Sequence, residues 1–131
     1  MPTELLVLAL AAALLMVHVM LAGHIRTRQY GTEWNMGARD AEMPPLNPLA
    51  GRLLRAQENY QETLPVAVIA LLGVMVADKT SDLTAAAAWV WLGARVIYLP
   101  LYASGVPKVR TLVWAIGTLA ILTVLGVLLL G

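Results

Sequence analysis

Four long apolar stretches alternate with shorter polar stretches along the 131 residues of the chain. The first, Leu5 to Gly23, contains nineteen residues, of which only His18 is polar. At a rise of about 1.5 Å per residue, such a helix crosses a hydrocarbon core of ~30 Å. We interpret His18 as a structural histidine bonded to a backbone carbonyl, in preference to a proton relay. The pattern predicts an all-α fold, an integral membrane four-helix bundle in a single domain over residues 1–131, with helices over 4–28, 48–77, 82–103 and 107–130.

Local signals mark where the helices begin. Asn47 followed by Pro48 is typical of a capping side chain before a proline at the first helical position. Ser81 or Asp82 is the corresponding cap after the polar turn, and the fourth helix is predicted to start near Pro107. Between the first two helices, residues 29–47 carry glycines, adjacent prolines and mixed charges without a helical period, which predicts a surface loop. Its aromatic side chains, Tyr30 and Trp34, are expected to anchor it at the lipid headgroups.

A first polar stripe lies at the start of the second helix. Its members, Arg52, Arg55, Asn59 and Glu62, recur at spacings of three, four and three, which places them on one side of a helix. A charge near the bilayer centre costs roughly 2.5–3.5 kcal/mol, so these groups must face protein, water or a ligand. Two simpler interpretations stay open, a solvated stripe outside the hydrocarbon or a structural network of Arg55 and Glu62.

A second polar stripe lies on the third helix, where Arg95, Tyr98 and Tyr102 recur at spacings of three and four. Arg110 lies in the first turn of the fourth helix, where the helix dipole disfavours a cation by about 0.3–1 kcal/mol. An anionic group nearby would relieve that cost. The alternative is an arginine that extends to the phosphates of the headgroups.

The basic residues are distributed unevenly across the predicted membrane. Seven of the nine lie on the side of the 29–47 loop, namely Arg26, Arg28, Arg39, Arg52, Arg55, Lys108 and Arg110. By the positive-inside rule this side is cytoplasmic, which places both termini on the opposite side, and we expect a bacterial inner membrane. Arg95 lies some 20 Å along its helix at about 1.5 Å per residue, so the two polar stripes and Arg110 reach a similar depth on the cytoplasmic side.

Composition narrows the class of protein further. With 60% hydrophobic and 13% charged residues, the chain is too apolar for a soluble domain of this size. Cysteine is absent, so thiol chemistry would need a thiol from another molecule. A net charge of +1 argues against a nucleic-acid partner. The start, Met1 to Glu4, lacks a basic region, which indicates a retained membrane helix instead of a cleaved signal peptide.

The polar residues indicate a class of ligand. Guanidinium groups suit carboxylates, Glu62 can bind an ammonium group, and Asn59 with the tyrosines can bond amides and hydroxyls. That set fits a small zwitterionic peptide with extra carboxylates. The sequence shows no metal-ligand set, phosphate-binding loop or paired nucleophile and base. A guanidinium or a tyrosine beside an incoming thiol would stabilise its thiolate as a nucleophile.

Two motifs carry a resemblance to a known family. The second helix contains Arg55-Ala-Gln57-x-Asn59-x-x-Glu62-x-x-Pro65, the third contains Arg95-x-x-Tyr98-x-x-x-Tyr102, and an arginine opens the fourth. Together these features resemble the MAPEG superfamily, the membrane-associated proteins in eicosanoid and glutathione metabolism. The likeness covers nearly the whole chain in length and helix order and is to members of the type of the microsomal glutathione transferases. It implies a homotrimer that binds glutathione, without a metal, between neighbouring subunits on the cytoplasmic side.

The resemblance also implies roles for individual residues. Glutathione would be bound by Arg55, Asn59, Glu62, Arg95, Tyr98 and Tyr102 of one subunit and by Gln57 and Arg26 of its neighbour. Arg110 would be the catalytic arginine that stabilises the thiolate of this co-substrate. The implied function is a transferase, with peroxidase activity, that attacks lipophilic electrophiles or hydroperoxides arriving through the lipid.

Two other functions remain open. A membrane protein that binds glutathione or lipid without turnover would share the same residues. A small four-helix transporter would be expected to carry an acidic residue deep in its first helix, whereas this chain has only Glu4 at the edge and His18 further in.

Overall fold

The computed structural model describes all residues from Met1 to Gly131 and contains five helices. They are α1 (Thr3–Tyr30), α2 (Thr32–Met36), α3 (Pro48–Val76), α4 (Asp82–Ala103) and α5 (Lys108–Leu130). All except the short α2 are long and apolar enough to cross a membrane. The predicted all-α fold with four spanning helices is therefore confirmed, and the chain is an integral, multi-pass membrane protein.

The predicted helix caps at Asn47 and Ser81 are present. The Oδ1 atom of Asn47 accepts a hydrogen bond from the backbone N–H of Ala50 at 2.8 Å, and Pro48 is the first residue of α3. At the start of α4, the backbone N–H of Thr84 donates to Ser81 Oγ at 3.4 Å, and the backbone N–H of Ser81 donates to Thr84 Oγ1 at 2.8 Å. These bonds satisfy N–H groups that the first helical turn leaves without partners, so both ends are determined by local sequence.

Small residues bring the helices together. α1 packs along α3 and α4 packs along α5. Many of the fully buried positions are alanine, and a Cβ atom added to Gly117 of α5 would lie 2.9 Å from the Cβ atom of Ala94 of α4. Short side chains at these positions let the backbones approach closely, which gains van der Waals contact where the surrounding lipid provides no hydrophobic driving force.

The segment from residue 29 to 47 differs from the predicted loop. α1 continues to Tyr30, and α2 follows after Gly31, whose φ of 97° allows the chain to turn. The Tyr30 hydroxyl donates to the Pro44 carbonyl at 2.5 Å, while Gln29 donates to the Pro45 carbonyl and accepts from the Asn47 N–H. The prediction missed α2 because five residues are too few to show a helical period, and because the segment is stabilised by bonds between residues distant in sequence.

The environment of His18 also differs from the prediction. The side chain is 1% exposed, but neither ring nitrogen has a hydrogen-bond partner. The expected bond to a backbone carbonyl is therefore wrong. Instead, the imidazole stacks on the ring of Tyr60 in α3, with ring centres 4.9 Å apart. Because the imidazole is planar, it can pack face to face on the aromatic ring of Tyr60 between the two helices.

Candidate functional site

Arg95 of α4 is a cation inside the helix bundle with unused hydrogen-bonding capacity. Its side chain is 2% exposed, and its Nη1 atom donates to Oδ1 of Asn59 in α3 at 3.0 Å. Its Nε and Nη2 atoms are buried and have no partner. Buried charged groups are normally paired, because an unpaired one loses its hydration without compensation. Arg95 therefore presents donors that an anionic ligand could occupy.

Aromatic rings hold the guanidinium of Arg95 in position. Its Cζ atom lies 4.5 Å from the ring centre of Tyr98 and 5.2 Å from that of Tyr60. The hydroxyl of Tyr60 donates to the backbone carbonyl of Ala11 in α1 at 2.6 Å, which fixes this ring between two helices. Cation–π contacts of this kind favour the charged arginine and restrict its rotamers. The sequence analysis did not identify Tyr60, although a tyrosine in a buried helix signals a hydroxyl that needs a partner.

The same aromatic contacts extend to Arg110. The rings of Tyr98 and Tyr102 meet edge to face, with centres 5.6 Å apart, and the guanidinium of Arg110 in α5 lies 4.4 Å from the ring centre of Tyr102. We refer to Asn59, Arg95, Tyr98, Tyr102 and Arg110 as the polar cluster. It joins α3, α4 and α5, and it combines two cations with neutral donors and acceptors. Such a set can bind carboxylates or a thiolate.

The first polar stripe does not act as one unit in the structure. Arg52 donates from Nε to the backbone carbonyl of Ala103 at 2.8 Å and so satisfies the C-terminal end of α4. Asn59 belongs to the polar cluster. Arg55 and Glu62 are exposed on α3 in the single chain. The structural network proposed for these two residues is not observed, and both are free to contact a ligand or a neighbouring subunit.

The two residues expected from a neighbouring subunit lie outside the polar cluster. Gln57 is half-buried on α3. Arg26, near the end of α1, has its Cζ atom 5.5 Å from the ring centre of Trp34 in α2. Within one chain, therefore, the polar cluster gathers five of the nine predicted site residues, while Arg26, Arg55, Gln57 and Glu62 remain at its outside.

A cleft of about 120 Å³ lies beside Arg95 at the junction of α3, α4 and α5. Its lining is mostly apolar apart from Arg95 and two threonine hydroxyls, and consists of Thr63, Val66, Trp91, Arg95, Thr118, Ile121 and Leu122. Of these residues the sequence analysis identified only Arg95. Trp91 is four residues before Arg95 on the same helix face, a spacing that could have pointed to it. A mostly apolar cleft with one charged group in its lining can bind and orient a lipophilic molecule.

Fold and site together define an integral membrane four-helix protein with a cationic cluster around the buried Arg95. A model of the MAPEG family matches residues 5–130, and the chain belongs to this family. It is therefore a membrane protein of the superfamily that acts in eicosanoid and glutathione metabolism. No curated protein and no solved structure matches the chain.

Proposed function

We propose that this protein is a membrane-bound glutathione transferase with peroxidase activity, which activates the glutathione thiolate for attack on lipophilic electrophiles or hydroperoxides. The observation that carries the proposal is the buried guanidinium of Arg95, which has two nitrogen atoms without partners and is linked through two tyrosines to Arg110. Family membership supports the choice of glutathione as the anionic ligand.

Glutathione matches the polar cluster, together with Arg55 and Glu62, group by group. It carries two carboxylates, one ammonium group, two amides and a thiol. Arg95 and Arg55 supply guanidinium groups for the carboxylates, and Glu62 is the nearby carboxylate suited to the ammonium group. Asn59, Tyr98 and Tyr102 supply bonds to amides and carbonyls.

A homotrimer would complete this site. Arg55 and Glu62 are exposed in the single chain, so a neighbouring subunit that packs against α3 would enclose a ligand between them. That neighbour is the proposed source of Gln57 and Arg26. Binding between subunits would also explain why the nine predicted residues do not all meet within one chain.

Arg110 is the residue that we propose to act on the sulfur. The glutathione thiol releases its proton to solvent, and the guanidinium stabilises the negative charge that remains on sulfur. In the transferase reaction, the thiolate forms a C–S bond with the electrophile, whose leaving group departs with its electron pair. In the peroxidase reaction, the thiolate attacks the terminal oxygen of the hydroperoxide and the O–O bond breaks. The products are a sulfenic acid and an alkoxide, which takes a proton from water to give the alcohol. A second glutathione then gives the disulfide and water.

The apolar cleft beside Arg95 is the proposed site of the lipophilic substrate. Its lining residues come from three membrane-spanning helices, so a molecule dissolved in the bilayer could reach it from the side. The polar cluster and most of the basic residues lie on the side that the positive-inside rule assigns to the cytoplasm. We propose accordingly a location in a bacterial inner membrane, with the site facing the cytoplasm and both termini opposite.

The ultraviolet absorbance of the thiolate tests the proposal directly. The purified protein is titrated with glutathione near neutral pH, and binding is measured in parallel by calorimetry. We expect thiolate absorbance to grow with occupancy, and Arg110→Ala to bind glutathione but to lower turnover of a lipophilic electrophile by roughly 10²-fold or more, the scale of a lost oxyanion contact.

Lys108→Ala is the matched control, because Lys108 is a cation in the same helical turn and is exposed. This variant should keep both thiolate absorbance and turnover. Turnover in Arg110→Ala equal to that of the parent would remove Arg110 from the mechanism. Binding of glutathione without thiolate absorbance in the parent protein would favour a binding protein without turnover.

A further inference from the structure

Arg52 of α3 connects its helix to the turn between α4 and α5, residues 104–107, which we call the α4–α5 turn. Its Nε atom donates to the backbone carbonyl of Ala103, the last residue of α4, at 2.8 Å. The other hydrogen bonds of residues 103–107 are formed within α4, the turn itself and the first turn of α5. Arg52 therefore makes the one hydrogen bond that joins this region to a different helix.

The side chain of Arg52 also packs on the α4–α5 turn. The chain changes direction at Gly105, whose φ of 77° lies in the left-handed region that residues with a Cβ atom seldom adopt. A Cβ atom built on Gly105 would lie 3.8 Å from the Cδ, Nε and Cζ atoms of Arg52. Arg52 thus contacts the chain at two points, the carbonyl before the turn and the glycine within it.

The α4–α5 turn leads to the residue that we propose to act on the sulfur. Ala103 directly follows Tyr102, and the Cζ atom of Arg110 lies 4.4 Å from the ring centre of Tyr102. Arg110 is in the first turn of α5, where the helix dipole disfavours a cation, and no side-chain cap fixes this end of the helix. The position of Arg110 relative to Tyr102 therefore depends on the conformation of the α4–α5 turn.

We propose that Arg52 is a positioning residue, which fixes the α4–α5 turn and thereby holds the guanidinium of Arg110 where it stabilises the glutathione thiolate. This inference rests on the proposed function. A displacement of about 1 Å at a catalytic group can lower a rate by 10²-fold, so a residue remote from the sulfur can control turnover. The other role open to a cation of the first polar stripe is direct binding of glutathione, and the two roles predict different kinetics.

Arg52→Met is the main variant, because methionine fills similar space but has no donor. Lys79→Met is the matched control. The Nζ atom of Lys79 donates to the backbone carbonyl of Leu128 near the end of α5 at 3.0 Å, at the opposite end of the bundle from the α4–α5 turn. Both variants lose one hydrogen bond from a half-buried cation to the C-terminal turn of a helix, so a purely structural role predicts the same effect in both.

Three quantities are measured in each protein: kcat with a lipophilic electrophile, the dissociation constant of glutathione, and the pH midpoint of the thiolate absorbance of bound glutathione. We expect Arg52→Met to lower kcat roughly tenfold and to leave the dissociation constant unchanged. The pH midpoint should rise, because a displaced guanidinium stabilises the thiolate less. Arg52→Lys, whose ammonium group can donate to the Ala103 carbonyl, should restore most of kcat, and Lys79→Met should behave as the parent.

A double variant tests whether Arg52 acts through Arg110. In Arg52→Met/Arg110→Ala, kcat should equal that of Arg110→Ala alone, because the group that Arg52 positions is already absent. Two independent effects that multiply would overturn the proposal. It would also be overturned by parent-like kcat and pH midpoint in Arg52→Met, by an equal loss of kcat in Lys79→Met, or by weaker glutathione binding in Arg52→Met, which would indicate a direct ligand.

Gly105→Ala is a second variant, which keeps Arg52 and strains the same turn at its positive φ. It decides the question if Arg52→Met does not fold. We expect the pH midpoint of the thiolate absorbance to rise in this variant as well. A midpoint equal to that of the parent would show that the conformation of the α4–α5 turn does not control Arg110, and would overturn the proposal.

Hydrogen exchange separates this inference from the proposed function. The backbone N–H groups of Gly105 and Val106 donate to the carbonyls of Tyr102 and Leu101, both at 3.1 Å, so their exchange reports on the α4–α5 turn. We expect faster exchange over residues 103–112 in Arg52→Met but not in Lys79→Met. If the parent ionises no glutathione, the proposed function fails, and exchange alone then decides whether Arg52 fixes the turn. Equal exchange in Arg52→Met and the parent would overturn this role.

Discussion

The pair formed by Arg95 and Asn59 allows the energetics of the polar cluster to be measured. Asn59 accepts the only hydrogen bond that the buried guanidinium donates, at 3.0 Å. Asn59→Leu removes this acceptor and leaves all donors of a buried cation without partners. A hydrogen bond to a charged group contributes about 1.5–3 kcal/mol, so we expect this variant to lose stability of that order.

Replacing Arg95 removes the buried cation together with its contacts. Arg95→Leu loses two cation–π contacts, each worth about 2 kcal/mol at a desolvated site. The same change removes the cost of a charge inside the membrane, roughly 2.5–3.5 kcal/mol on the most lenient scale. The amide of Asn59 that remains is half-buried, so it can bond to water. The double variant Asn59→Leu/Arg95→Leu contains no unpaired cation. Because replacing both partners of a buried hydrogen bond by apolar side chains is nearly neutral, we expect it to be at least as stable as Asn59→Leu.

The assay is reversible unfolding in mixed micelles of increasing dodecyl sulfate content, followed by circular dichroism. The four proteins form a double-mutant cycle, whose coupling energy isolates the contact between the two residues. A double variant that unfolds more easily than Asn59→Leu would refute the argument that Arg95 is a buried cation stabilised by Asn59. Glutathione at about 100 times its dissociation constant should stabilise the parent by about 2.7 kcal/mol. It should stabilise Arg95→Leu by much less, because the guanidinium that binds the ligand is absent.

Two further predictions concern the helix bundle. Gly117→Leu should destabilise the protein by about 1–3 kcal/mol, because its side chain would overlap Ala94, whereas Gly93→Leu should be tolerated since a Cβ atom there meets nothing within 4 Å. Ser81→Ala should cost about 1 kcal/mol through loss of the cap of α4, and Ser81→Asp should retain most of the stability. The same unfolding assay measures both, and a Gly117→Leu variant as stable as Gly93→Leu would contradict the close packing of α4 on α5.

Features that depend on short-range geometry were predicted correctly from the sequence. The caps at Asn47 and Ser81 involve residues three positions apart, so the local sequence is sufficient to identify them. Arg95 and Tyr98 were expected to lie together because a helix places residues three positions apart on one face. Four spanning helices followed from hydrophobic length alone. In lipid, the backbone N–H and C=O groups must be hydrogen-bonded within the protein, and apart from a closed β-barrel only a helix achieves this.

Features that depend on packing between helices could not be predicted in this way. The first polar stripe suggested a common role for Arg52, Asn59 and Glu62, but the rotation of α3 against its neighbours directs Arg52 to the end of α4 and Asn59 to Arg95, and leaves Glu62 exposed. Periodicity defines which residues share a helix face, and hydrophobic length defines which helices enter the membrane. Which face meets which neighbour depends on the fit of small side chains between helices, a property of pairs of distant segments that no single segment encodes.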